Sequence, residues 1–151
     1  MNATASTLRP LLAKGRLAGI YHLPHGDRQA LADAARDLGF ALLQTDLADV
    51  REAPAALERL GRDLCLPDWY GANYDALADC LTDLGWNEAP GYVLLVSGAD
   101  ELHAHDENAL RTLNEVFAAV VDYWREADVP FWVLHDMRPD GLASLPTLAA
   151  G

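Results

Sequence analysis

Ten carboxylates, Asp63, Asp68, Asp75, Asp79, Asp83, Glu88, Asp100, Glu101, Asp106 and Glu107, lie between Arg62 and Arg111 without one Lys or Arg among them. In the densest part, LPDWYGANYDALADCLTDL over residues 66–84, Asp75, Asp79 and Asp83 follow one another at every fourth position behind Trp69-Tyr70-Gly71. On a helix that spacing stacks all three carboxylates on one face. Like charges placed so weaken an isolated helix by about 0.2–0.5 kcal/mol per pair, so helix stability does not account for them. A solvated helix face is the plain alternative. The spacing can also present carboxylates to Mg²⁺, but an EF-hand loop with its glycine and terminal Glu is missing, and no metal or other cofactor is expected. The chemistry expected is electrostatic docking of a basic partner.

The other candidate groups are weaker. His103-x-His105 beside Asp106 resembles a ligand pair superficially and reads as a polar loop ahead of a helix. His22, His25 and His135 are scattered near strand ends, and the sequence holds no phosphate loop, nucleophile elbow or Cys-His pairing, so no enzyme is expected. A metal-assisted hydrolase using Asp75, Asp79 and Asp83 is the least favoured reading. Cys65 and Cys80 are too few for a disulfide framework, and both lie in helical apolar patterns, so both read as buried free thiols.

Composition narrows the class of protein. The 151 residues, 51% hydrophobic, suffice for one domain with a packed core, and the net charge of −12 therefore sits on a folded surface. A field of that sign disfavours nucleic acid and anionic membrane and speeds encounter with basic proteins. No apolar run approaches the roughly 18 residues needed to span a bilayer, and the N-terminus lacks the order of a signal peptide, so a cytoplasmic location is expected.

The elements that must position the acids are legible as alternating short apolar runs and helical stretches. Residues 18–23, 40–45, 92–97 and 131–135 read as strands. Asp27 can cap a helix carrying Leu31, Ala35 and Leu38, which Gly39 ends in a left-handed conformation. Pro54 fits the first turn of a helix with Leu57, Leu60 and Leu64 on one face. Asn73 is a good N-cap for a helix burying Leu77, Leu81 and Leu84, with Gly85 as its stop. The longest helix is expected from about Asp106 to Glu126, turning Leu110, Leu113, Phe117, Val120, Val121 and Trp124 inward. Strands separated by helices imply an α/β fold with a parallel sheet of right-handed crossovers. Residues 1–7 and 140–151 read as frayed ends.

Residues 66–84 resemble the signature segment of the barstar family of ribonuclease inhibitors. The match combines Leu66-Pro67, Trp69-Tyr70, Gly71, Asn73, Asp75-Ala76-Leu77 and Asp79-Cys80-Leu81-Thr82, in order and without a gap. A weaker resemblance runs from Phe40 to about His135. It implies a barstar-like core over 40–136 with three parallel strands; residues 137–151 read as a tail, and residues 1–39 lie outside the resemblance and read as an extension adding one strand and one helix. It also implies that the protein inhibits a basic, secreted, barnase-type ribonuclease or related toxin by plugging its active site, and is monomeric when free. Carried over by motif position, Trp69, Gly71, Asn73, Asp75, Asp79 and Thr82 form the contact surface, and Asp83 extends the acidic row. Asp79 is expected to mimic phosphate, with Asp75 as second anchor and Trp69 as a flat apolar cover. A family acid on the long helix corresponds to Asp122 by its spacing from the last strand. Ala78 stands where family members often carry Trp, and Tyr74 where Leu is common. The structural readings beside these are that Tyr70 packs rather than contacts, that Gly71 serves a turn needing positive φ, and that Asn73 is only a cap. An acidic interaction or immunity module with a non-ribonuclease partner is the alternative.

Overall fold

The computed structural model describes residues 4–23, 25–84 and 87–136. Twelve segments of regular structure follow in chain order, of which the helices and strands are α1 (Ala5–Leu12), β1 (Ile20–His22), α2 (Arg28–Leu38), β2 (Ala41–Asp46), α3 (Ala53–Asp63), α4 (Tyr74–Thr82), β3 (Tyr92–Ser97), α5 (Asp100–His105), α6 (Glu107–Glu126) and β4 (Phe131–Asp136). The strands form one parallel sheet in the order β1-β4-β3-β2. Tyr92–Val96 and Phe131–His135 are buried throughout, as the inner strands of a parallel sheet covered on both faces must be.

The connections decide which helices share a face. The steps from β2 to β3 and from β3 to β4 move in one direction across the sheet, whereas β1 to β2 crosses it in the other. Right-handed crossovers therefore put α3, α4 and α6 on one face and α2 on the opposite one. Two side chains confirm the division. His135 Nε2 lies 2.8 Å from Asn114 Oδ1 of α6, while its neighbour in β4, Trp132, points to the other face and donates from Nε1 to the Leu12 carbonyl at the end of α1. Leu8, Leu12, Leu31 and Ala35 of α1 and α2 thus cover one side of the sheet, and Leu60, Leu77, Leu81, Leu110 and Phe117 the other.

The expected strands and long helices are present, with β1 pairing in register with β4 through Ile20↔Val133 and His22↔His135. Gly39 ends α2 at φ 74, and Pro54 sits in the first turn of α3. Several expectations need correction. The extension over 1–39 holds two helices: residues 5–7 begin α1, started by Thr4, whose hydroxyl accepts from the Thr7 N–H while Thr7 reciprocates. Pro10 and the short length of α1 hid it, because the helix is held by packing of Leu8 and Leu12 rather than by propensity. The residues around His103 and His105 form α5, not a loop. Asp27 occupies the N-cap position of α2 but makes no capping bond, its φ and ψ of −97° and 3° being unsuited to one. Gly85 as a helix stop lies outside the described residues.

Candidate functional site

The acidic segment is a tight loop followed by α4, and the loop is pinned by one tyrosine. The Tyr70 hydroxyl donates to the Leu57 carbonyl at 2.7 Å, and its ring lies where a Cβ on Gly61 would come within 2.6 Å of it. Burial pushes the Tyr70 hydroxyl up to about 12, with a smaller contribution from Cys80, so it stays a neutral donor. Tyr70 is structural, as its sequence context implied. Fastening it to α3 turns the chain outward, and the Tyr70 N–H closes a turn onto Pro67 O at 2.9 Å. Trp69, at the tip of that turn, is 54% exposed.

Positive φ in this loop falls on Cys65 (φ 53) and Ala72 (φ 53), not on Gly71. Space at Gly71 is tight instead: a Cβ there would meet Asn73 Nδ2 at 3.1 Å. Asn73 caps α4 by accepting from the Ala76 N–H at 2.8 Å, and its Nδ2 approaches Gly71 O at 3.5 Å. Its side chain holds the entry to α4. Cys65 is exposed, because the turn after α3 carries it out of the helical pattern, while Cys80 is buried as expected. Burial, then the carboxylates of Asp79 and Asp83, push the Cys80 thiol up and keep it neutral.

Both ends of α4 are tied to α6. Tyr74 Oη donates to Ala109 O at 3.5 Å at the start of each helix, and Trp124 Nε1 donates to Leu81 O at 2.8 Å near their ends, so the two run parallel. Leu77, Cys80 and Leu81 face inward. Asp75 and Asp79, one turn apart, are exposed and form no ion pair among the described residues. Asp75 in the first turn is favoured by the helix dipole. Asp83 does not continue the stack. It is the C-cap, exposed, at φ −115° and ψ 80°, so the third carboxylate leaves at the helix end in a direction of its own. Thr82 is half-buried and its hydroxyl donates back to Ala78 O at 2.8 Å, which leaves oxygen lone pairs for a partner but no proton.

Asp122 is not brought to this surface. Two residues on α6 differ by about 200°, so Asp122 points about 160° away from Trp124, the residue that binds α4. It pairs instead with Arg125 at 2.6 Å, and Arg125 reaches the Ala18 carbonyl ahead of β1. Spacing from the last strand placed Asp122 on α6 but could not say which flank of the helix it takes. Among the described residues no group of three or more His, Cys, Asp or Glu gathers closely enough to hold a metal ion, and no helix is long and apolar enough to cross a membrane.

The site is thus an exposed acidic turn and helix carried on one face of a parallel α/β sheet. Residues 40–136 match the barstar family, described as barnase inhibitor, and the chain belongs to that family. No curated protein matches the sequence. Among solved structures the fold is similar to a chain in the structure of Drosophila ORC bound to DNA, at 18% identity and a TM-score of 0.51 over 89% of this chain and 37% of that one. It is also similar to the Aeropyrum pernix ORC2 protein in its ADPNP-ADP complexes, at 15% identity and a TM-score of 0.53 over 92% of this chain and 41% of that one. This chain thus spans about two fifths of those proteins, and the likeness is one of fold.

Proposed function

We propose that the protein inhibits a basic, barnase-type ribonuclease inside the cell that makes it, by seating the 66–84 loop and helix in the enzyme's active site. It carries out no chemistry of its own. The observation that carries this reading is the exposed Asp75–Asp79 pair, without an ion-pair partner among the described residues, on a helix anchored at both ends to α6. A pocket made to hold phosphate presents Arg, Lys and His, and a rigid carboxylate placed there makes charge-assisted bonds in the phosphate's stead. Anchoring matters because a loop and helix already held in place lose less entropy on binding. Asp79 is the phosphate mimic, Asp75 the second anchor, and Trp69 the flat cover at the rim; Gly71 and Asn73 shape the loop that aims them.

The test is titration of a barnase-type ribonuclease with the wild-type protein and with Asp79→Ala at low and moderate salt. Tight, salt-sensitive inhibition that weakens by about a hundredfold or more in the variant is expected. Undiminished inhibition by Asp79→Ala would remove the phosphate-mimic role. A second reading, an acidic immunity module for a different basic toxin, draws on Ala78, which leaves the middle of α4 without a large side chain. Absence of binding to any barnase-type enzyme favours that module.

A further inference from the structure

Three large apolar side chains are exposed among the described residues: Leu17, Trp69 and, at 51%, Tyr123. Trp69 belongs to the acidic loop, and Leu17 lies ahead of β1. Tyr123 has no structural account in the core. Its placement on α6 follows from helix geometry. At about 100° per residue, positions seven apart return to nearly the same direction, so Ala109, Val116 and Tyr123 form one line along the helix. Ala109 receives the Tyr74 hydroxyl from α4, which fixes that line as the flank facing α4. The opposite flank is marked by Asn114, against His135, and by Arg125, against Ala18. Tyr123 therefore stands beside the C-terminal end of α4, where Asp83 is exposed.

The residue is also held in place. Its ring lies 5.3 Å from that of Trp124 with the planes 89° apart, an edge-to-face contact that holds the ring while half of the residue stays exposed. Trp124 in turn packs on Tyr92 at 5.4 Å and bonds Leu81 O at the end of α4. Tyr92 binds the Ala89 N–H and the Asn87 carbonyl through its hydroxyl. A chain of rings thus runs from the core to the surface and ties Tyr123 to the segments on either side of Asp83.

Resting on the inhibitor reading, we infer that Tyr123 is a contact residue of the same docking surface, receiving an Arg or Lys side chain of the basic partner on its exposed ring. A cation is the fitting occupant because the ring is exposed and packed on Trp124 in a protein of net charge −12, so attraction from the ring adds to that of the surrounding field. The arrangement places an aromatic contact at each end of the acidic row, Trp69 before it and Tyr123 after it, with Ala78 between. This contact surface spans two helices that are far apart in sequence.

The experiment is calorimetric titration of a barnase-type ribonuclease with Tyr123→Ala, Tyr123→Leu and Tyr123→Phe, alongside Asp79→Ala and Leu17→Ser, each variant also followed by thermal unfolding. Loss of the ring in the Ala and Leu variants should weaken binding about tenfold, with Phe losing less than either, because it keeps the ring face. Leu17→Ser should bind as wild type does. If Tyr123→Ala binds undiminished while Asp79→Ala does not, Tyr123 is no contact and the inhibitor reading stands. If Leu binds as well as Phe, the contact is apolar and the cation is wrong. If the wild-type protein does not bind at all, the inhibitor reading and this inference fall together. Weakened binding with an unfolding temperature lowered in proportion in all three variants also overturns it, since the loss is then one of folding.

Discussion

Two polar groups of this protein were handled in opposite ways. On α4 the carboxylates of Asp75 and Asp79 stay in water, where their mutual repulsion costs the fold little and their charge is available to a partner. On the sheet, His135 is fully buried beside His22, one strand over in register. With Asn114 Oδ1 as acceptor, His135 Nε2 carries the proton, and neither His135 Nδ1 nor His22 Nδ1 has a hydrogen-bond partner among the described residues. Burial, then the neighbouring His22, pushes the His135 imidazole down to about 4, so the fold holds it neutral. Exposed charge costs the fold little, whereas a buried ionisable group makes stability depend on pH.

The contrast can be broken most strongly beneath the acids themselves. Leu77→Ala opens a cavity under α4 and should lower stability by about 2–5 kcal/mol, read by denaturant unfolding. Asp79→Ala, two residues on, should shift the same midpoint by less than about 0.5 kcal/mol. Equal effects of the two would mean that Asp79 supports the fold.

Acidification should act on the other side of the comparison. His135 ionises near 6.5 when unfolded and near 4 when folded, so the unfolded chain takes up its proton first as pH falls. Its stability contribution is complete above pH 6.5 and is lost between 6.5 and 4, on the order of 3 kcal/mol in all. His135→Gln keeps a donor for Asn114 and removes the titration. Its unfolding free energy, followed across that range, should fall less steeply than that of wild type; an identical slope would place the acid sensitivity elsewhere. Smaller again is Asn73→Ala, which removes the cap of α4 and should cost about 1 kcal/mol by thermal unfolding. A cost near zero would leave Asn73 to partner contact alone.

Much of this molecule could be read from residue order, because local physics sets periodicity and caps. The strands at 92–97 and 131–135, Gly39 closing α2, Asn73 opening α4 and the ordered motif from Leu66 to Thr82 all depend on neighbours within a few positions. What escaped depended on contacts between distant segments. Helix α1 exists through Leu8, Leu12 and the Trp132 bond, 120 residues away from Leu12. Positive φ falls on Cys65 and Ala72 rather than Gly71, in a loop that Tyr70 fastens to Leu57. Asp122 and Tyr123 differ by a single position, yet the direction of α6 against α4 turns one away from the acidic row and sets the other beside it. The residue types and their spacing determined which chemistry the protein can offer; packing decided which side chains share a surface, because a helix rotates each residue by about 100° and only its neighbours fix the starting direction.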